Sequence, residues 1–473
     1  MYNCLDPFEV YERIRKWVTK QRWYPRGLGD YTIIDAWRVT CNIYIGLLRI
    51  GGIRILLPIT ITARPPPSNL PSERYARANG FYVYEAEYAP EYNELLLRSR
   101  IPGLQIEVHD KLYTGNSHII NNIEALSPES TNTLVKVVLN NNHSYVLKSY
   151  RTLSKYNLEP LFLKYLSGKG VVPKLYTTVS IKDSYSAVMV EYLDVIGDGG
   201  FPFYQAIRTS LAEGKVIVPD EAISSLTSSL TFFHEEMARC NSWWCTRGKI
   251  TSSDIYKWTR RIRSYYDKAL NNARRHRSKC GPATNLLRES QPRVEEAYKL
   301  MKFFKSKTKI RNHQDLHLGQ ILYTSRYQYV IIDFEGEPGR SDLERLALEP
   351  ALRDVACIMR SIGYLTVFAY RDHFEITLNE SVERLFDGKD KEARIAIEWA
   401  NKTARQILER YLEKTRGIGI LIHGLGGDVL VEWGREVIKA WLVERALYEF
   451  LYELNYRTGY ALIPLLGLTG VLP

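Results

Sequence analysis

The 473-residue chain has no apolar run approaching the ~18 residues of a membrane-crossing helix, so no helical span is expected. Its opening Met-Tyr-Asn-Cys-Leu-Asp-Pro has neither the basic nor the apolar region of a secretory leader, and a cytoplasmic protein is expected. Cysteine is scarce: Cys4, Cys41, Cys240, Cys245, Cys280 and Cys357 form no Cys-x-x-Cys pair, and reduced thiols are the expected state. Blocks of basic residues are also missing. The net charge of +11 is spread along the chain, which fits a solvated surface and attraction of a nucleotide's phosphates better than a nucleic-acid partner. A dinucleotide loop is absent too, because Arg416 to Gly427 (RGIGILIHGLGG) lacks the third glycine and no βαβ pattern precedes it. What remains is 45% hydrophobic and 25% charged, an ordinary globular composition long enough for two or three packed units.

The most informative stretch is Arg311 to Glu337, RNHQDLHLGQILYTSRYQYVIIDFEGE. Alternation over Ile321 to Thr324, a polar turn at Ser325 to Gln328 and a second run over Tyr329 to Ile332 predict a β-hairpin. The hairpin would bring Asp315 and Gln320 near Asp333 and Glu335. Such a set suits phosphoryl transfer: one carboxylate takes a hydroxyl proton, and the other oxygens hold a Mg2+ that bridges phosphates. The spacing follows the protein-kinase pattern, with Gln320 five residues after Asp315 and Asp-Phe-Glu in place of Asp-Phe-Gly. His313 and His317 alternate with apolar residues, without a nearby Cys or third His, and read as structural.

Upstream, a helical pattern over 9–20 precedes Gln21-Arg22-Trp23-Tyr24 and three strand-like runs, Tyr31 to Val39, Asn42 to Ile50 and Ile53 to Thr62. Trp23 reads as a packing residue. Prolines in Ala63 to Pro71 impose a loop, and Glu91 to Arg98 reads as a helix. Lys148 sits in the apolar run Tyr145-Val146-Leu147, where an unpaired ammonium would be costly to bury, and is the candidate phosphate-binding lysine. Ala187 to Leu193 reads as a buried strand entering a glycine-rich break at Asp194 to Gly200, where a hinge belongs. Residues 220–304 are helical in pattern, and His234 among them reads as a core histidine. In the last helix, Val437 to Tyr456, Leu447, Phe450, Leu451 and Leu454 form a core stripe. Tyr448, Glu449, Tyr452, Glu453, Asn455 and Arg457 lie off it, and their side chains suit sugar hydroxyls.

His313 to Gln320 (HQDLHLGQ), Ile332 to Pro338 (IDFEGEP) and Leu352 to Ala356 (LRDVA) with Met359-Arg360-Ser361 resemble the maltokinases, sugar kinases related to aminoglycoside phosphotransferases. The resemblance recurs at Gln21 to Tyr24 and at Ala446 to Arg457. It implies an α+β, two-lobed protein-kinase-like fold: a cap over 1–92, a nucleotide-binding subdomain over 93–195 and a mostly helical lobe over 196–473. It implies Asp315 as base, Gln320 and Asp333 as Mg2+ ligands with Glu335 as a further one, and ATP held by Lys148. The loop at Ser127, Glu129, Asn132 and Thr133 resembles the family's phosphate loop, and Asp354 would steady the catalytic loop. For the acid that orients the lysine, Glu159 is the local candidate, while ungapped comparison places it nearer Leu161. The function implied is ATP-dependent phosphorylation of maltose or a related sugar at the anomeric hydroxyl. A glucosamine or other aminosugar kinase on the same scaffold is the alternative, and a nucleotide-binding pseudokinase is the alternative of another class. Expected partners are a small sugar and a nucleotide, with no nucleic acid and no membrane; oligomeric state stays open.

Overall fold

The computed structural model describes residues 4–25, 27–111, 120–127, 130–275, 282–326, 328–421 and 427–473. Glu129, Cys280 and most of the glycine-bearing stretch after Leu421 lie outside them. The chain divides into two compact units, Met1–Leu193 and Asp194–Pro473.

The first unit is built on two antiparallel sheets. In the five-stranded sheet the order is Thr32–Arg38, Ile43–Ile50, Ile53–Thr62, Phe81–Glu85, Tyr75–Ala78. Ile43–Ile50 is apolar at almost every position because both faces are covered. Ile43, Ile45 and Leu47 pack towards the second sheet, while Tyr44, Leu48 and Ile50 pack towards the N-terminal helix Pro7–Arg13 and Trp23. Gly46 makes that second contact possible, since a Cβ there would lie 2.6 Å from the Tyr11 ring. Tyr11 in turn donates its hydroxyl to the Leu57 carbonyl at 2.5 Å.

The six-stranded sheet runs Gln105–Val108, Leu175–Ile181, Ser184–Glu191, Ser144–Ser149, Thr133–Leu139, Ile120–Leu126. Lys148 therefore lies on a central strand, opposite Val188 on one side and Leu134 on the other. A buried ionic cluster joins the two sheets: Glu85 accepts from Trp23 Nε1 (2.7 Å), Arg74 (3.1 Å), Arg151 (3.0 Å) and the Thr133 hydroxyl, and Arg151 also reaches Glu87 at 2.8 Å. Burial opposes ionisation of Glu85, but Arg151 and Arg74 outweigh it and hold its carboxyl below the usual range. Trp23 is thus a packing residue with a buried hydrogen bond.

The second unit is helical around a small sheet of Val195–Asp198, Ile321–Thr324 and Tyr329–Ile331. The hairpin forms as its alternation predicts, pairing Ile321 with Ile331 and Tyr323 with Tyr329. Asp220–Arg239, Ser252–Arg275, Leu352–Phe374, Lys391–Lys414 and Gly427–Tyr456 are its long helices. The last begins at Gly427 rather than Val437. Gly434 lets the helix approach the Lys391–Lys414 helix, where a Cβ would come 2.5 Å from Leu412. Leu447, Phe450 and Leu454 are buried and Leu451 partly so. Among the described residues, no helix is long and apolar enough to cross a membrane.

The cysteines correct an expectation. Cys4 is bonded to Cys41 and Cys240 to Cys245, with Cα separations of 5.0 and 5.7 Å, while Cys357 is a buried free thiol. Tertiary structure makes the first pair: the Tyr44 hydroxyl accepts from Leu5 N (3.2 Å) and donates to Cys41 O (3.0 Å), pinning the N-terminal segment beside the turn before Ile43. A local turn makes the second, with Cys245 N on Ser242 O at 3.0 Å after the Asp220–Arg239 helix ends. Spacing along the chain reveals neither.

Candidate functional site

Asp315 sits on a loop whose backbone is held from several sides. Arg311 donates to the carbonyls of Trp244 (2.8 Å), Arg345 (2.9 Å), Leu346 (2.5 Å) and Ala347 (3.0 Å). The Gln314 amide side chain donates to Ala347 O at 2.7 Å. Asp354 accepts the backbone N–H groups of His313 (2.7 Å) and Gln314 (2.9 Å). His313 is bonded through Nε2 to Ile332 O at 2.9 Å, and His317 is half-buried, its imidazole pKa lowered chiefly by desolvation. The His313 ring thereby ties the loop to the second strand of the hairpin. Gln314 (φ +73°) and Asp333 (φ +63°) occupy the left-handed region, a strain of about 1–3 kcal/mol each that persists where surroundings over-determine the backbone.

The hairpin brings the predicted acids together. Gln320 donates from Nε2 to Asp333 Oδ2 at 2.9 Å, and Ile332 N donates to Gln320 O at 3.0 Å. Carboxylate oxygens of Asp333 and Glu335 lie within 4.8 Å of one another. With its amide nitrogen engaged, Gln320 keeps a carbonyl oxygen for a cation, so the set offers oxygen donors only, the kind Mg2+ takes.

Arg445 is what sequence reasoning missed. Its NH1 lies 2.8 Å from Asp315 Oδ1 and 2.5 Å from Glu337 Oε1, and its Nε lies 3.0 Å from Glu449 Oε1. Behind it stands a solvent-excluded lattice: Arg353 pairs with Glu337 (2.6 Å) and Glu349 (2.9 Å), Arg261 with Glu349 (2.8 Å) and Glu444 (2.7 Å), and Arg340 with Glu337 and Glu444. Burial raises the pKa of Glu337 and Glu349, but the arginines win and hold each at about 2. The available signal was Glu444-Arg445 inside the apolar stripe of a buried helix, where charges need partners.

In the first unit, Lys148 Nζ pairs with Glu159 Oε2 at 2.7 Å, and the Tyr150 hydroxyl donates to the same oxygen at 2.9 Å. Lys148 is 8% and Glu159 4% exposed. Glu159, rather than a residue near Leu161, is the acid paired with the lysine here. Pro160 is no obstacle, because it occupies the first turn of the Glu159–Leu166 helix, where a missing N–H costs nothing. Ser127 is exposed and Asn132 half-buried, but Thr133 requires a correction. Its side chain points inward with Val135, Val137 and Leu139, and its hydroxyl is taken by Glu85 and by Arg151 (2.6 Å), leaving it unable to cradle a phosphate.

No family model matches the chain. A curated relative, the glucosamine kinase of Streptacidiphilus jiangxiensis, is 23% identical over 268 residues, which cover 56% of this chain and 52% of that protein. The match thus spans about half the length of that relative. A solved glucosamine kinase, crystal form B, superposes with a TM-score of 0.64 at 17% identity over 96% of this chain and 97% of that one. The fold is that of the glucosamine kinases. A second solved structure, glucosamine kinase in complex with glucosamine, ADP and inorganic phosphate, superposes with a TM-score of 0.61 at 17% identity, covering 97% of this chain and 99% of that one.

On this glucosamine-kinase fold the last helix carries the predicted acceptor residues with uneven exposure. Tyr448 is buried against Gly339, its ring under the Arg445 guanidinium at 5.1 Å, and it stacks with half-buried Tyr452 at 6.3 Å. Glu449 is bound by Arg360 (2.9 Å) as well as Arg445. Glu453 accepts from Arg457 (2.6 Å) and the Tyr364 hydroxyl (3.3 Å), with burial pushing its pKa up. Asn455 is exposed. Among the predicted acceptor residues, Glu449 is tied to Asp315 through Arg445, which pairs with both.

Proposed function

We propose that the chain is an ATP- and Mg2+-dependent kinase that phosphorylates a sugar hydroxyl. One observation carries the reading: Asp315 stands on a braced loop while Gln320 and Asp333, on the hairpin that follows, share a 2.9 Å hydrogen bond. In this reading Asp315 accepts the proton of the acceptor hydroxyl, and Arg445 fixes the direction of its carboxylate. Gln320, Asp333 and Glu335 would hold Mg2+, which when bound offsets charge on the phosphates. In the first unit, Lys148 binds nucleotide phosphate with Glu159 orienting it, and Ser127 and Asn132 belong to the phosphate loop. The curated glucosamine kinase relative supports a sugar acceptor.

Two acceptors each have an observation in their favour. Maltose, phosphorylated at its anomeric hydroxyl, suits the Tyr448–Tyr452 face, where Glu449 and Glu453 are already paired with arginines and have less charge to offer an ammonium. Glucosamine is favoured by the curated relative. A panel of sugars with ATP and Mg2+, read by ADP release and by the position of the new phosphate, decides between them. Absence of release on every sugar, with nucleotide binding retained, would return the reading to a nucleotide-binding scaffold.

A further inference from the structure

Beneath the loop that carries Asp315, three helices each supply one side chain to a hydrogen-bonded line: His234 from Asp220–Arg239, Asp354 from Leu352–Phe374 and Tyr411 from Lys391–Lys414. All three are 0% exposed. Asp354 Oδ1 accepts from Gln314 N at 2.9 Å, while Oδ2 accepts from His313 N at 2.7 Å and faces His234 Nε2 at 3.2 Å. The other ring nitrogen, Nδ1, lies 2.8 Å from the Tyr411 hydroxyl. Asp354 is held below the usual carboxylate range: burial opposes its ionisation, but the hydrogen bonds from the His234 ring and the His313 amide favour the ionised form. An ionised carboxylate only accepts, so the hydrogen belongs on Nε2, and Tyr411 then donates to Nδ1. In that tautomer every polar atom of the line is paired; the Nδ1–H tautomer would aim a lone pair at the carboxylate.

We propose that His234 is a positioning residue for phosphoryl transfer. Its Nε2–H fixes the rotation of the Asp354 carboxylate so that the two oxygens meet the His313 and Gln314 amides, and Tyr411 fixes the imidazole from the other side. The two amides immediately precede Asp315, and Gln314 holds a left-handed backbone (φ +73°) that would relax if its acceptor turned away. The backbone that carries the base is thus positioned by a histidine acting only through Asp354, while Arg445 orients the carboxylate itself. The proposal rests on the reading of Asp315 as the base.

The test compares His234→Leu, His234→Gln and Tyr411→Phe in the full chain. Glutamine retains an amide donor for Asp354 and a carbonyl acceptor for Tyr411; leucine retains neither. For His234→Leu, kcat should fall on the order of 10- to 100-fold with KM for ATP within about twofold of the parent. His234→Gln should recover most of the loss, and Tyr411→Phe should show a smaller fall in kcat with KM again unchanged. Equal loss in the Gln and Leu variants, or kcat in His234→Leu within about twofold of the parent, overturns the proposal. If the Leu variant does not fold, Tyr411→Phe carries the kinetic arm, and unchanged kcat there counts against it. Nitrogen-15 histidine NMR supplies a readout independent of turnover. The signal that disappears in His234→Gln, one of nine histidines, should show a protonated Nε2 and an unprotonated Nδ1, and the reverse overturns the proposal. A parent chain that phosphorylates no sugar sinks the kinase reading, while the tautomer still decides whether the line is built as described.

Discussion

Arg445→Met removes a guanidinium that serves three carboxylates while keeping much of the apolar stem. The loss is unequal. Glu337 retains Arg340 and Arg353, and Glu449 retains Arg360, whereas Asp315 loses the one ion pair recorded for it among the described residues. Breaking a buried pair from one side costs about 3–5 kcal/mol, and because two of the three acids keep partners the lower end applies here, about 3 kcal/mol. At roughly 2–4 °C per kcal/mol for a domain of this size, the melting transition of the second unit should drop by about 6–12 °C. Scanning calorimetry measures the drop, and ADP release should show a larger fall in kcat than rise in KM for ATP. Arg445→Lys, which restores one charge without the fork, should recover stability only in part. A melting temperature within about 2 °C of the parent would refute the reasoning, since the lattice would then close without Arg445.

Asp315→Asn should abolish turnover with nucleotide affinity nearly unchanged, checked by ADP release beside calorimetric titration of nucleotide, because the amide keeps the shape and loses the proton acceptor. Asp333→Ala should remove Mg2+-dependent nucleotide binding, and undiminished activity at ordinary Mg2+ would place the metal elsewhere. Glu337 and Glu349 have folded pKa values of about 2 against an ordinary 4.5. Their stabilisation is therefore complete above the unfolded value and is lost as pH falls from about 4.5 to about 2; melting temperatures by circular dichroism across that window should decline, less steeply in Glu337→Gln. Tyr452→Ala should raise KM for the sugar before that for ATP, by a contact of roughly 1 kcal/mol, and sugar kinetics indifferent to it would make the helix scaffold.

What could be read from sequence depended on the range of the interaction. The hairpin was legible because alternation, a polar turn and alternation are local, and its two ends carry the acids whatever the rest of the chain does. Asp354 was legible as support through resemblance, but His234 and Tyr411, its partners' continuation, come from two other helices and have no common pattern. Arg445 and the cysteine pairs were hidden for the same reason. Thr133 is different. The run Thr133-Leu134-Val135-Lys136-Val137 alternates, so the inward register of Val135 and Val137 puts Thr133 inside, against what the loop's resemblance implies. The helix start at Gly427 was lost because glycine weakens a helical reading on propensity, while Gly434 answers to a leucine on another helix.

The Glu85–Arg151 cluster bears on what can be cut from this protein. Glu85 and Glu87 come from residues 1–92, and Arg151 lies just beyond the strand of Lys148, so a chain begun at residue 93 would strand a guanidinium in an apolar interior with both carboxylates gone. It would also uncover the face of the second sheet against which Ile43, Ile45 and Leu47 pack. Truncation to the kinase-like remainder should therefore yield insoluble protein, and a shorter version would need an apolar residue in place of Arg151 and polar residues on the sheet face that Ile43, Ile45 and Leu47 cover.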